Sequence, residues 1–228
     1  HSPYTLSLHD ALPIFGIILH TGDFKIDYTP IDGQVADLPR FVELGKKGVI
    51  AMLADSTNVE RKGYTMSERT VGKTFENIFS KADGRIIVAT FASNIHRIQQ
   101  IITASEKIGR KVAVSGRSME NIVAVASELG YLKFQDGTLI SIDDIKKYSN
   151  DRITIITTGS QGEPMSALSR MASSDHKKVS IIPGDMVIIS ATPIPGNEKL
   201  VSKVINQLFK QGANVIYEAL ADRSEERR

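Results

Sequence analysis

Short apolar runs, rich in β-branched residues, recur along the chain and alternate with longer stretches in which apolar residues follow a helical period. The short runs are typical of strands that are buried on both faces. They lie at 16–20, 49–54, 85–90, 111–115, 153–158, 179–182, 186–190 and 215–217. The helical stretches lie at 67–82, 95–109, 118–129, 163–172 and 197–210. This alternation with short connections predicts an α/β fold whose largely parallel sheet is flanked by helices.

Residues at the ends of the helical stretches support these boundaries. Glycine is common just after a helix, and Gly109, Gly130 and Gly212 occupy such positions, while Ser67 stands where a helix N-cap is expected. Residues 131–150 are more polar and less regular. We predict that they form a peripheral excursion from the sheet.

The composition excludes several classes of protein. With 228 residues, 41% hydrophobic and 24% charged, the chain is long enough for one large soluble domain or for one domain and part of another. No apolar run approaches the roughly 18 residues of a membrane-spanning helix, and no signal peptide is recognisable. The chain has no cysteine, which excludes disulfides and thiolate metal sites and favours the cytoplasm. A net charge of +2 is too small to indicate nucleic-acid binding without a local basic patch.

The two ends of the chain differ from its interior. Residues 1–14 contain two prolines and follow neither a helical nor a strand period. Residues 7–14 can be encoded by TCC CTA CAC GAC GCT CTT CCG ATC, which reads like a common sequencing adapter. Residues 223–228 can be encoded by AGA TCG GAA GAG CGT CGT, which contains the reverse complement of the end of that string. Chance codon choice is the alternative, and we expect 1–14 and 223–228 to be non-native segments around an internal fragment, 15–222.

Polar residues that directly follow predicted strands are the first candidates for chemistry, because ligands of open α/β sheets gather at the carboxyl ends of the strands. Asp23 closes the segment His-Thr-Gly-Asp after the strand at 16–20. Its carboxylate could bind a metal ion, or bridge two of them and help activate water, or simply belong to a turn. Asp55 opens the segment Asp-Ser-Thr-Asn after the next strand, where it could orient a metal-bound histidine or cap a turn.

Two further loops could bind phosphate. Ser93, Asn94, His96 and Arg97 lie between a predicted strand and a predicted helix, where hydroxyls, exposed amides and an arginine could cradle an anion. The alternative is a helix N-cap with a solvated arginine. Ser160 lies in the loop Thr-Gly-Ser-Gln-Gly-Glu-Pro, which resembles an anion-binding loop but lacks the Lys-Ser/Thr pair of a P-loop and the three glycines of dinucleotide-binding folds.

The number of histidines limits the metal chemistry of the fragment. A two-zinc hydrolase site needs several His and Asp ligands, whereas residues 15–222 hold only His20, His96 and His176, none of them in a close pair. The sequence also has no Gly-x-Ser-x-Gly motif and no cysteine nucleophile. We therefore do not expect this fragment to complete a two-metal site alone.

Taken together, seven segments resemble bacterial ribonuclease J, in order and at the expected spacing, over essentially all of 15–222. The segments are HTGDFK at 20–25, DSTN at 55–58, TFASNIHR at 90–97, GRSM at 116–119, TGSQGEPM at 158–165, IPGD at 182–185 and PIPGNE at 193–198. Enzymes of that family are metallo-β-lactamase-fold nucleases with an inserted β-CASP domain. The resemblance implies that 15–60 is part of a metallo-β-lactamase αβ/βα sandwich and that 61–222 is most of the β-CASP domain.

The family resemblance also implies roles for the candidate residues. Asp23 matches the carboxylate that contacts both of two zinc ions, and Asp55 matches the acidic residue that supports catalysis through a metal-ligand histidine. The residues that would face the RNA channel and contact phosphates are Ser93, Asn94, His96, Arg97 and Ser160. The family's His-x-His-x-Asp-His signature and its later histidines do not occur in this sequence, so we expect the fragment to be inactive in isolation.

The function that the resemblance implies for the parent is metal-dependent RNA hydrolysis in RNA processing and decay, with both 5′-to-3′ exonuclease and endonuclease action. The implied cofactor is zinc and the implied partner is RNA. The parent would form a homo-oligomer or pair with a paralogue, in the cytoplasm and away from membranes. One alternative is a paralogue of low activity that serves as a structural or RNA-binding partner subunit. A second is a phosphate-binding α/β module unrelated to nucleases.

Overall fold

A computed structural model of the chain describes residues 16–31, 33–56, 59–60, 62–63, 67–191 and 193–217. Residues 1–14 and 223–228, which we predict to derive from an adapter, lie outside the described residues. The chain divides into two compact units, the first ending at Arg69 and the second beginning at Thr70.

The first unit contains two parallel strands and the helix that connects them. These elements are β1 (Ile17–His20), α1 (Leu38–Lys47) and β2 (Val49–Leu53). Ile17 and Leu19 alternate inward on β1 and cluster with Leu44 of α1. Helix α1 was not among the predicted elements, although Leu38, Phe41 and Leu44 lie three residues apart on its inner side, with Leu44 the one that is fully buried. Its start is set by Asp37, whose carboxylate accepts a hydrogen bond from the Arg40 amide.

The second unit, as described over 70–191 and 193–217, is built around a six-stranded sheet in which all neighbouring strands are parallel. Its strands are β3 (Ile86–Ala89), β4 (Lys111–Ser115), β5 (Leu139–Ile140), β6 (Ile153–Thr157), β7 (Met186–Ile189) and β8 (Asn214–Ile216). They are arranged in the order β5-β4-β6-β3-β7-β8. The predicted α/β fold with a largely parallel sheet is therefore confirmed.

Helices cover both faces of this sheet. They are α2 (Glu68–Phe79), α3 (Ile95–Lys107), α4 (Arg117–Glu128), α5 (Ala167–Ala172) and α6 (Glu198–Lys210), with two 3₁₀ helices at Ile142–Lys147 and Asn150–Arg152. Along β3, Ile86 and Val88 pack with α2, α3 and α4, whereas Ile87 and Ala89 pack with α5 and α6. A strand buried on both faces is apolar at every position, which explains the continuous runs in the sequence. Over the described residues, no helix has the length and apolar character needed to cross a bilayer.

The predicted strand at 179–182 is wrong. Val179 and Ile181 alternate into the core, as they would on a strand. The Ile182 amide, however, donates a hydrogen bond to the Asp185 carboxylate at 2.9 Å, and the segment belongs to a turn before β7. Alternating burial therefore arises here from packing, without strand pairing.

The predicted start of the fifth helical stretch is also wrong. Helix α5 begins at Ala167 and not at residue 163. Its N-cap is Ser166, whose hydroxyl accepts a hydrogen bond from the Ser169 amide. Pro164 therefore lies in the loop before the helix.

The remaining boundary predictions agree with the structure. Residues 131–150 lie at the edge of the sheet, where they contribute β5 and a 3₁₀ helix whose Ile142 and Ile145 reach the core. Ser67 caps α2 by accepting a hydrogen bond from the Arg69 amide at 3.3 Å. The glycines predicted to end α3, α4 and α6 follow these helices with positive φ angles.

Candidate nucleic-acid interface

The topology of the second unit creates a crevice at the carboxyl ends of β3 and β7. These strands are neighbours, but β3 leads through α3 to β4 on one side, whereas β7 leads through α6 to β8 on the other. The two connections also cover opposite faces of the sheet. In parallel sheets, strands that diverge in this way leave a crevice in which ligands bind. The loop 90–94 borders it. The loop 158–162 lies beside it, since the Thr90 amide donates to the Thr157 carbonyl at 3.1 Å and the Gln161 side chain accepts a hydrogen bond from the Ile194 amide, after β7.

The loop after β3 presents polar groups at this crevice. Ser93 is exposed, and Asn94 is the N-cap of α3, where its side-chain oxygen accepts a hydrogen bond from the Arg97 amide at 3.0 Å. His96 lies in the first turn of the helix and is partly exposed. The positive end of the dipole of a 13-residue helix lies here, so the position favours an anion.

Arg97 is held inside the fold. Only 9% of the residue is exposed, and its guanidinium Nη1 donates hydrogen bonds to both the hydroxyl and the carbonyl of Ser190, the carbonyl at 3.0 Å. These bonds tie the start of α3 to the end of β7. The structure therefore gives Arg97 a positioning contact, and a phosphate bound by the same nitrogen would compete with Ser190.

The loop after β6 is packed against the rest of the unit. Ser160 is 1% exposed and Gln161 is 2% exposed. The Gln161 side-chain oxygen accepts a hydrogen bond from the Ile194 amide at 2.7 Å, which joins this loop to the one before α6. Ser160 is thus brought to the crevice but not to its surface. A direct contact between Ser160 and a ligand requires the loop to shift.

Thr90 is a functional candidate that the sequence reasoning missed. It is 1% exposed, and among the described residues its Oγ1 has no hydrogen-bond partner. A buried hydroxyl without a partner is uncommon and is a natural place for a ligand or a water to bind. The sequence could have indicated Thr90 by its position directly after β3, because the other candidates were chosen for following a predicted strand.

The first unit brings Asp23 and Asp55 to neighbouring loops. The Thr21 amide donates to the Leu53 carbonyl at 3.0 Å, and the Asp55 amide donates to the Thr21 hydroxyl at 3.1 Å. The carboxyl ends of β1 and β2 therefore meet at one edge, as parallel pairing requires. Asp23 is exposed and Asp55 is half-buried.

A complete metal site is not formed by the residues that the structure describes. Within them, no three side chains of His, Cys, Asp or Glu come together in an arrangement that could hold a metal ion. His20, the histidine nearest to Asp23 in sequence, accepts a hydrogen bond at Nδ1 from the Gly22 amide at 3.0 Å. The described residues therefore do not by themselves fit the two-zinc site that the resemblance implies.

A second missed feature is a contact between His176 and Ser115 at the end of β4. His176 Nε2 lies 3.1 Å from the Ser115 hydroxyl, and its Nδ1 accepts a hydrogen bond from the Val179 amide at 3.0 Å. Because Nδ1 accepts, the ring proton of the neutral imidazole is on Nε2 and is donated to Ser115. This arrangement cannot activate Ser115 as a nucleophile, since the imidazole has no free nitrogen to take its proton. The pair instead fastens the loop before β7 to β4.

Protonation of His176 should weaken the fold. Burial, and then the charges of Arg170 and Lys178, hold the pKa of His176 below its ordinary value of 6.5. The unfolded chain therefore binds a proton more readily, so stability is complete above the ordinary value and is lost as pH falls below it. We expect the melting temperature to fall between about pH 7.5 and about pH 5.5, and to fall less in His176→Gln. His96→Gln is the matched control, and equal pH dependence in both variants would contradict this role.

Comparison with known proteins gives a consistent set of relatives. The family model described as the beta-CASP domain of ribonuclease J matches residues 83–208. Proteins named Ribonuclease J from Thermus thermophilus and Helicobacter pylori are each 51% identical, over 202 and 203 residues, and one named Ribonuclease J2 from Bacillus subtilis is 46% identical over 202. Each alignment covers 89% of this chain but only 35%, 30% and 36% of the respective relative. The chain spans about a third of the length of these curated relatives.

Proposed function

Because the chain belongs to the ribonuclease J family and carries its beta-CASP domain, we propose that it is the RNA-holding part of an enzyme that hydrolyses phosphodiester bonds in RNA. The observation that carries this proposal is the crevice between β3 and β7. It combines the start of α3, the exposed hydroxyl of Ser93, the partly exposed imidazole of His96, and the buried hydroxyl of Thr90, which has no hydrogen-bond partner among the described residues. Groups of this kind bind phosphate and sugar oxygens without reading base sequence.

Within this proposal the candidate residues divide into two groups. Ser93, Asn94 and His96 lie at the surface of the crevice and would contact the RNA backbone directly. Arg97 and Ser160 are buried and would act by holding the loops in position. Recognition by backbone and 2′-hydroxyl contacts would allow the parent to act on many RNAs, in both processing and decay, from 5′ ends and internally.

The catalytic part of the proposal rests on the resemblance to ribonuclease J. Asp23 would supply one metal ligand and Asp55 would support another, with the remaining ligands outside the described residues. When bound, a pair of zinc ions polarises the phosphate and lowers the pKa of an attacking water. We extend the proposal to a cytoplasmic oligomer, or a pair with a paralogue, on the same resemblance.

The purified chain should bind single-stranded RNA but should not cut it. Binding should weaken with salt, with a slope in log K against log salt of about 0.7 per phosphate contacted. Added zinc should produce no turnover, because the described residues do not assemble a metal site. Fluorescence anisotropy at two salt concentrations measures binding, and a gel assay measures cleavage. Metal-dependent cleavage of RNA by the purified chain, with contaminating nuclease excluded, would refute the expectation that the chain is inactive. Failure to bind RNA would refute the proposed function of the crevice.

A further inference from the structure

Helix α6 carries a stripe of lysines on its exposed side. Lys199, Lys203 and Lys210 are exposed and line one shallow groove together with Ser202 and Asn206. Spacings of four and seven residues keep the three lysines on one side of a helix. At a rise of about 1.5 Å per residue, the stripe is about 16 Å long.

The positive charge of this lysine stripe is only partly offset within the described residues. None of the three lysines forms an ion pair there, whereas Lys107 pairs with Glu76 at 2.6 Å elsewhere in the unit. The acidic residue at the start of α6 is Glu198, and its carboxylate accepts a hydrogen bond from the Gly196 amide at 2.9 Å. The groove therefore holds three ammonium groups without an ion-pair partner among the described residues, against the one carboxylate of Glu198 at its end.

The lysine stripe begins next to the crevice. A Cβ added to Gly162, in the loop after β6, would lie 2.6 Å from the Leu200 carbonyl carbon, so this loop rests directly on the first turn of α6. Gln161 bonds the same loop to Ile194, just before the helix. The stripe consequently starts at one wall of the crevice and leads away from it along α6.

We propose that the lysine stripe of α6 is a second contact surface for the RNA backbone, which holds the strand where it extends beyond the crevice. The proposal rests on the proposed function and adds a path for the RNA outside the crevice. Ammonium groups in a row bind successive phosphates without base preference. Continuity with the crevice and the excess of three lysines over one glutamate in the groove favour a polyanion over an acidic protein surface as the occupant.

The test compares two triple variants of the whole chain. The first, Lys199→Gln with Lys203→Gln and Lys210→Gln, removes the stripe. The matched control, Lys73→Gln with Lys81→Gln and Lys133→Gln, removes the same charge from exposed positions on or beside the α2–α4 layer. For a single-stranded RNA of about 12 nucleotides, the stripe variant should bind about 10-fold more weakly, with a salt slope smaller by about 2. The control should bind as the unchanged chain does.

A short RNA separates the lysine stripe from the crevice. An RNA of about 4 nucleotides fills the crevice alone, so its affinity should be the same in the stripe variant and the unchanged chain. A double variant, Ser93→Ala with His96→Ala, should weaken binding of both RNAs. If the stripe variant and the control behave alike on the long RNA while the double variant weakens it, the stripe is overturned and the crevice stands. If only the stripe variant has an effect, the crevice assignment fails. No binding of either RNA overturns both.

Discussion

Replacing Asp185 by Asn should lower the free energy of unfolding of the second unit by about 3–5 kcal/mol. The Asp185 carboxylate is 1% exposed and accepts two hydrogen bonds from the Arg85 guanidinium, one of them from Nε at 2.8 Å. It also accepts a hydrogen bond from the Ile182 amide at 2.9 Å. The Asp185→Asn carboxamide keeps the shape but leaves a buried guanidinium without its counter-charge. That uncompensated charge is the source of the loss.

An exposed ion pair of the same unit provides the control. Lys107 and Glu76 pair at 2.6 Å, but both side chains are about half exposed. Glu76→Gln should therefore cost no more than about 1 kcal/mol. Urea unfolding of both variants, with the slope against denaturant checked for a change, measures the two losses. A loss at Asp185 as small as that at Glu76 would show that the buried pair does not hold the amino ends of β3 and β7 together.

Replacing Gly162 by Ala should destabilise the second unit by about 2–4 kcal/mol. The residue has a φ of +71°, a backbone conformation that glycine adopts readily but that is strained for a residue with a Cβ. Its added Cβ would also lie 2.6 Å from the Leu200 carbonyl carbon and 2.7 Å from the Val201 nitrogen, both of them backbone atoms of α6. The loop or the helix must therefore move, and either movement changes one wall of the crevice.

Gly184 provides a control that separates the effect of backbone strain from the effect of the close approach to α6. Its φ is +89°, but an added Cβ would have no atom of the described part of the chain within 4 Å. Gly184→Ala should therefore lose about 1–2 kcal/mol from backbone strain alone and should leave RNA affinity unchanged. Gly162→Ala should lose more stability and should also bind RNA more weakly. Equal stability and equal RNA affinity in the two variants would show that the loop after β6 does not depend on its close approach to α6.

Much of the fold was predictable because the sheet is buried on both faces. Every residue of β3 and β6 is buried, and the two strands consist of apolar residues and threonine, as expected of strands covered on both faces. The same pattern is ambiguous where apolar residues are buried without strand pairing, as at Val179 and Ile181. Helix α1 was missed because its apolar stripe is short: Leu38, Phe41 and Leu44 are its inward positions, and Leu44 alone is fully buried.

The location of the candidate site was predictable, but the burial of its residues was not. The rule that ligands gather after strands selected Ser93 and Ser160, which the structure brings to loops bordering one crevice. It could not show that Ser160 is buried, because that depends on the distant Gln161–Ile194 contact. Arg97 was assigned to phosphate from its residue type, whereas its guanidinium bonds to a serine 93 residues later in the chain. Contacts between residues this far apart leave no local pattern.

The family was identified from the resemblance of short segments, because the periodicity of apolar residues indicates only the fold class. Seven short segments indicated ribonuclease J, and the match of the family model to 83–208 confirms that family. The alternative of an unrelated phosphate-binding module is thereby removed. The roles of Asp23 and Asp55 stay predictions, because a metal site is a property of residues that come together from several segments, and the described residues supply only part of one.

The most direct test of the RNA-binding crevice is to map where RNA touches the chain. Single-stranded RNA carrying a photoreactive base can be cross-linked to the unchanged chain, and the attached peptides identified by mass spectrometry. The account predicts cross-links at the carboxyl ends of the strands, in 90–97 and along α6 from Lys199. Cross-links concentrated at the opposite edge, in 82–85 and 108–110, would contradict it, because those loops lie at the amino ends of β3 and β4.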